Sequence, residues 1–325
     1  MKYFLGIDLG GTNMAIGIVD GKTQIVASHS VPTRSYRSFE EVVKDMALTV
    51  KDTLQRAGLK ETDIDYVGIG VPSTIDPKTK KLLYANNLGW KNRDLITEFK
   101  KHWDIDVFVG NDADCAALGE AMSGEAKQYD SVLVITIGTG VGGGMILNKR
   151  IFIGGDGTGF EPGHLIIKEG GTLCTCGAKG CLEAYASTTA LIRQTIDQML
   201  SCPNSLMWEV TSGDLNHVSG YTAFQAAKRG DEAALQVIDT FLEYLSAGLS
   251  SLIAVFRPQI IIIGGGISKQ GEYLLAPLRE KTDIKSAGTG IMKPVPIFQA
   301  RFGNDAGIIG AALLGEHSDK AENYK

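Results

Sequence analysis

The chain has 325 residues, 44% of them hydrophobic and 21% charged, so it is long enough for two cored domains, and one small domain is excluded. Its formal net charge is −5 and no Lys/Arg run exceeds a pair, which leaves little to build a phosphate-neutralising surface from. Nucleic acid is therefore not expected as a partner.

In chain order, Tyr3–Leu9 reads as a strand, and Asp8 interrupts its apolar stretch before a signal-peptide core is reached. Gly10-Gly11 follows, then Thr12-Asn13 and a second strand at Ile16–Val19; Asp20-Gly21 signals a turn before a third strand, Gln24–His29. A helix is predicted at Ser38–Ala57, strands at Tyr66–Gly70 and Val107–Val109, and a helix at Asp112–Met122. Ser131–Ile137 is a strand ending in the run Gly138–Gly144, and Met145–Leu147 continues as strand. Helical periodicity returns at Thr188–Leu200, Tyr221–Lys228 and Asp231–Phe256. The strand Gln259–Ile263 runs into Gly264-Gly265-Gly266, and a strand at Ile297–Ala300 precedes a helix at Gly307–Leu314 and a polar, frayed end at His317–Lys325. Mixed strands and helices indicate an α/β protein. No segment approaches the ~18 uninterrupted apolar residues of a membrane span, so the expectation is a cytoplasmic protein with no membrane partner.

Three glycine clusters each follow a strand, where glycine lets backbone N–H groups approach a ligand; together they point to a nucleotide site. Leu5–Asn13 also lies against Leu133–Val141 at an offset of 128 residues, which suggests two related domains, each opening with a hairpin whose tip can hold phosphate. Gly138-x-Gly140-x-x-Gly143 satisfies the dinucleotide fingerprint, but a strand follows where that motif opens a helix. Gly21-Lys22-Thr23 mimics the end of a Walker A loop, yet Ile16 stands where that motif needs glycine.

Cys174, Cys176 and Cys181 fall within eight positions, as packed thiols or as ligands. The odd number of cysteines, five in all, argues for a reduced compartment, where such spacing means metal more often than disulfide. Zinc takes four thiolate or imidazole ligands, His164 lies ten residues before Cys174, and Gly177 and Gly180 permit the tight turns a metal needs. Four protein ligands make a structural ion. Glu161 and Glu183, usually solvated types, flank that knuckle, three residues before His164 and two after Cys181, so one ion would fix the loops that bear both carboxylates. Asp112 reads from its own stretch as a helix cap or as a base.

Asp8-Leu9-Gly10-Gly11-Thr12 resembles the first phosphate loop of actin-like sugar kinases, Ile137-Gly138-Thr139-Gly140 the second, and Gly264-Gly265-Gly266 the adenosine-side loop. With Glu161-x-x-His164 and the cysteine segment, nearly the whole chain resembles the ROK family (repressor, open reading frame, kinase), its bacterial glucokinases above all. The resemblance implies a two-domain actin-like (ribonuclease H-like) sugar kinase fold with a nucleotide/sugar cleft. Its small domain would span 1–111 plus about 305–325 and its large domain 112–304.

The same resemblance implies ATP-dependent phosphorylation of a hexose, most readily glucose, at the 6-hydroxyl, with ATP, Mg²⁺ and structural Zn²⁺ as cofactors. Asp112 would be the base, and Asn87, Asn111, Glu161, His164 and Glu183 would contact the sugar; His164, Cys174, Cys176 and Cys181 would hold zinc. Gly10, Gly11, Thr12, Asn13, Gly138, Thr139 and Gly140 would hold phosphates, Gly264, Gly265 and Gly266 adenosine, and Asp8 would sit near magnesium. Asn86-Asn87-Leu88-Gly89-Trp90 resembles the Asn-x-x-Trp stretch of glucose-type members, a likeness that favours glucose. Ser73 for glycine and Gly159-Phe160 before Glu161 depart from the family pattern and leave fructose, mannose, allose and N-acetylhexosamines open. The sequence itself carries no oligomeric signal; members of the family it resembles are commonly dimers or tetramers, which implies a homodimer or homotetramer. A non-catalytic sugar-sensing regulator is the alternative of another class; a DNA-binding helix-turn-helix would have to precede the first loop, whose aspartate is already residue 8.

Overall fold

A computed structural model describes residues 2–286 and 292–317; the predicted polar end lies, from 318 onward, outside the described residues. The chain divides into two compact units, one of Met1–Val132, Gly144–Phe160 and Arg301–Lys325, the other of Leu133–Gly143 and Glu161–Ala300. Relative to the expected split at residue 111, residues 112–132 and 144–160 group with the first unit.

In chain order the first unit begins with β1 (Tyr3–Leu9), β2 (Asn13–Asp20), β3 (Ile25–Pro32), α1 (Phe39–Ala57) and β4 (Ile64–Val71). The short β5 (Thr74–Ile75), β6 (Leu82–Ala85) and β7 (Trp90–Arg93) follow, then α2 (Leu95–Lys100), β8 (Val107–Asn111) and α3 (Asp112–Ala121). The main sheet has the order β3-β2-β1-β4-β8, with β1, β2 and β3 antiparallel and β1, β4 and β8 parallel. Helix α1 starts where Ser38 and Glu41 form a reciprocal capping box and stops at Gly58, left-handed at φ +69°.

Strand parity sorts the side chains. Leu5, Ile7 and Leu9 of β1, with Val67, Ile69 and Val71 of β4, join the buried cluster that α1 closes through Val42, Val43, Met46 and Val50. The opposite face carries Phe4, Tyr66 and Phe108 at one end, with successive ring centroids 4.8 and 5.1 Å apart. Glycines occupy its middle: a Cβ on Gly6 or Gly68 would strike the carbonyl oxygen of Ile308 or Ala311. Those carbonyls belong to a C-terminal helix, Asp305–Ala312, which lies on this face beside α3, and Tyr66 Oη donates to Ala312 O at 2.7 Å. Asp8 follows on the same parity, at the far end.

The second sheet contains β9 (Val132–Ile137), β10 (Val141–Leu147), β11 (Arg150–Ile151), β12 (Ile260–Gly264) and β13 (Ile297–Gln299), in the order β11-β10-β9-β12-β13. Third, second, first, fourth, fifth is also the order of the first sheet, as the internal repeat suggests. The second unit's helices are α4 (Glu183–Ala186), α5 (Thr188–Ser201), α6 (Met207–Val210), α7 (Thr222–Ala227), α8 (Glu232–Phe256) and α9 (Glu272–Ser286). The C-terminal pair in the first unit is α10 (Asp305–Ala312) and α11 (Leu314–His317). By length and composition α8 is apolar enough to cross a membrane, but Phe241, Leu245, Leu249 and other side chains along it are buried in its own unit against α5, α7 and α9. Helix α9 and the small sheet β5-β6-β7 are absent from the sequence reading. Pro277 inside α9 masks the helical signal, and strands of two to four residues are too short for a period to register.

Candidate functional site

In the first unit the tip between β1 and β2 is closed by Gly10 N–H donating to Asn13 O at 2.9 Å. Thr33, fully buried just beyond β3, reaches the same tip: its Oγ1 donates to Gly10 O at 2.7 Å and its N–H to Thr12 O at 2.8 Å. Gly11 leaves no room for a side chain, since a Cβ there would sit 2.8 Å from Asn87 O. Asn87, predicted as a sugar contact, is exposed and lies against the first loop. Trp90 beside it is a core residue, edge-on to Phe39 at a centroid distance of 4.8 Å.

Asp8 is largely buried against the first turn of α10, where a Cβ on Gly307 would come 2.5 Å from its Oδ2. Burial first, and then the charge of Asp112, push the Asp8 carboxyl up from 3.8 to about 6. Asp112 is raised too, chiefly by burial, against hydrogen bonds from the Ala113 N–H and its own. The capping role weighed for Asp112 falls to Asn111. Its Oδ1 accepts from Ala113 N–H at 2.8 Å and Asp114 N–H at 3.2 Å, which leaves Asp112 as the first residue of α3. Asn111 Nδ2 donates to Ser73 O at 3.4 Å, and the Ser73 hydroxyl donates to Thr74 O and Tyr84 O, both at 3.0 Å. Ser73 is thus bound into the small sheet.

In the second unit Gly138 N–H closes its own loop on Gly140 O at 2.9 Å. The start of α5 holds that loop: Thr188 N–H donates to Gly138 O at 2.8 Å and Thr189 Oγ1 to Thr139 O at 2.7 Å. The third loop stands against the first strand of this sheet. Gly265 has φ +84°, and a Cβ there would strike the backbone of Ile137.

The ligand atoms of His164, Cys174, Cys176 and Cys181 all lie within 4.8 Å of one another. His164 Nδ1 is 3.7 Å from Cys174 Sγ, and Cys176 Sγ is 3.7 Å from Cys181 Sγ. Cys115 is buried and Cys202 half-buried, apart from this group. Glu183 opens α4 and bridges two segments: Oε2 accepts from Val141 N–H at 3.0 Å, while Oε1 accepts from Thr175 Oγ1 at 2.9 Å and from Cys174 Sγ at 3.6 Å. Glu161 is exposed and precedes the 3-10 turn Pro162–His164, where His164 N–H donates to Glu161 O at 3.0 Å.

Sequence reasoning missed Thr33, Thr188 and Thr189. Each is a common residue type separated by 20 or more positions from the loop it holds, and no spacing rule connects them. It also gave Gly10 and Gly138 a phosphate-binding N–H, whereas both N–H groups are used inside their own loops.

The profile of the ROK family matches residues 4–318. A glucokinase of Thermotoga maritima is 34% identical over 311 residues, covering 95% of this chain and 96% of the relative. A solved ROK-family glucokinase from Streptomyces griseus, in complex with glucose and AMPPNP, superposes with a TM-score of 0.78 at 32% identity, covering 96% of this chain and 98% of that one. More distant relatives include an N-acetyl-D-glucosamine kinase of Pectobacterium atrosepticum, 29% identical over 96% of this chain and 98% of its own length. A xylose repressor of Caldicellulosiruptor bescii is 28% identical over 87% of this chain and 70% of its own length. The fold is the actin-like, ribonuclease H-like one of the sugar kinases, duplicated sheet for sheet. A family match of this length, joined to relatives a third identical from end to end, makes the chain a member of the ROK family.

Proposed function

We propose that this protein transfers the γ-phosphoryl group of ATP to the 6-hydroxyl of glucose, with Asp112 as the base. The coarser statement stands by itself: near-full-length glucokinase relatives make the chain an ATP-dependent sugar kinase. Glucose is supported by the similarity to glucokinases, and the observation that supports the base is the state of Asp112. Asn111 is the N-cap of α3 and shares the Ala113 N–H with Asp112 Oδ1, which accepts it at 2.9 Å; burial outweighs that bond and raises the proton affinity of Asp112, so the carboxylate accepts a proton more readily than an exposed one.

In the step, Asp112 takes the proton of the 6-hydroxyl as that oxygen bonds to the γ-phosphorus, and the bond from phosphorus to the β-phosphate oxygen breaks to leave ADP. The amides of Gly11, Thr139 and Gly140, which the loops do not use themselves, would hold phosphate oxygens, the third loop would take adenosine, and Asn87, Asn111, Glu161, His164 and Glu183 would orient the sugar. Magnesium, when bound, would neutralise charge on the phosphate chain, and the Asp8 carboxylate would be the group to hold it, near Asp112.

The thiol and imidazole cluster fits zinc. Tetrahedral bonds to sulfur of about 2.3 Å place neighbouring sulfurs about 3.8 Å apart; Cys176 Sγ and Cys181 Sγ are 3.7 Å apart, Cys174 Sγ and His164 Nδ1 are 3.7 Å apart, and all four ligand atoms lie within 4.8 Å of one another. Four protein ligands leave no open position, so the ion is structural, holding His164 and the Glu183 segment in shape. Reduced thiols fit a cytoplasmic enzyme.

The test is ADP release by the purified protein with Mg-ATP and glucose, mannose, fructose, allose, N-acetylglucosamine or N-acetylmannosamine, with Asp112→Ala as control. Preference for glucose and a silent control support the reading. Preference for another sugar moves the substrate and keeps the base. No stimulation by any of the six turns the assignment toward a sugar-sensing regulator.

A further inference from the structure

Resting on the reading that the glycine loops hold nucleotide phosphate, we infer that Thr33 and Thr189 are positioning residues that aim loop amides at the phosphate chain from behind. A trans peptide is planar, with its C=O and N–H on opposite sides. A carbonyl tied on one side therefore turns the N–H of the next residue to the other. Thr33 Oγ1 ties Gly10 O at 2.7 Å, which directs the Gly11 N–H away from Thr33. Thr188 N–H ties Gly138 O at 2.8 Å and Thr189 Oγ1 ties Thr139 O at 2.7 Å, which directs the N–H groups of Thr139 and Gly140 away from α5.

At the 128-residue offset Gly10 answers to Gly138 and Gly11 to Thr139, so the same peptide is held in both repeats. The two units reach that end by different means: a threonine beyond the third strand in one, a helix start in the other. Among the described residues, the N–H groups of Gly11, Thr139 and Gly140 donate to no protein acceptor, while those of Gly10 and Gly138 close their own loops. The amides left for a ligand are the ones the threonine-held carbonyls orient.

The experiment is calorimetric titration of the full chain with magnesium ADP and, separately, adenosine, using wild type, Thr33→Val, Thr33→Ser, Thr189→Val and Thr189→Ser. Each valine variant is expected to bind ADP about tenfold more weakly, the order of one lost hydrogen bond, with adenosine affinity unchanged and serine restoring the loss. Thr189 is exposed, so its valine variant decides the question even where Thr33→Val fails to fold. Wild-type ADP affinity in the valine variants, or equal losses of ADP and adenosine, overturns the clamp alone. A wild-type chain that binds no ADP overturns the nucleotide reading and this inference with it.

Discussion

Replacing Asp8 by Asn is expected to make the protein more stable and less active. Folding lifts the Asp8 carboxyl from 3.8 to about 6, so ionising it at neutral pH opposes the folded state. Its stabilising contribution is fully present below its unfolded value and is lost as pH rises through the folded one. Asparagine stands in for the neutral acid at every pH. The gap between the two values corresponds to about 3 kcal/mol at pH 8, an upper bound, and to about half of that at pH 5. A gain of about 1–3 kcal/mol raises the Tm by about 2–4 °C per kcal/mol for a domain of this size. Thermal unfolding in magnesium-free buffer at pH 8 and pH 5 reads the difference, and ADP release with Mg-ATP reads the cost, a fall of roughly a hundredfold. A variant no more stable than wild type at pH 8, or a gain undiminished at pH 5, would refute the argument that burial beside Asp112 strains this carboxylate.

Two further outcomes follow from the same geometry. Because burial raises Asp112 and the base must be ionised, turnover should fall on acidification at a pH above the ordinary carboxylate range, near 4, in a pH profile of kcat; a limb at or below that value counts against Asp112 as the base. Metal analysis should find about one zinc per chain, and Cys176→Ser should lower both zinc content and Tm; a metal-free protein whose Tm ignores a zinc chelator would remove the knuckle assignment.

Local features of the sequence determined much of this protein. Short runs of strand-type residues placed β1 and β4, helical periodicity placed α1, and glycine after a strand marked loops that the fold puts at strand ends. Three cysteines within eight positions, with a histidine ten residues before them, named their own cluster, because a metal knuckle is built from near neighbours. The repeat at 128 residues anticipated two sheets of one topology. Tertiary structure alone decided what depends on residues far apart in the chain. Asp8 and Asp112 share a buried environment only because β1, β4 and α3 meet, and a carboxyl's proton affinity follows from burial and neighbouring charge rather than from residue type. The cap at α3 settled on Asn111 through the backbone path, although its neighbour is an equally good capping type. The hydroxyls behind the glycine loops come from Thr33 and Thr189, 23 and 50 positions away from the carbonyls they hold, because a hydrogen bond needs proximity in space and leaves no period in the sequence.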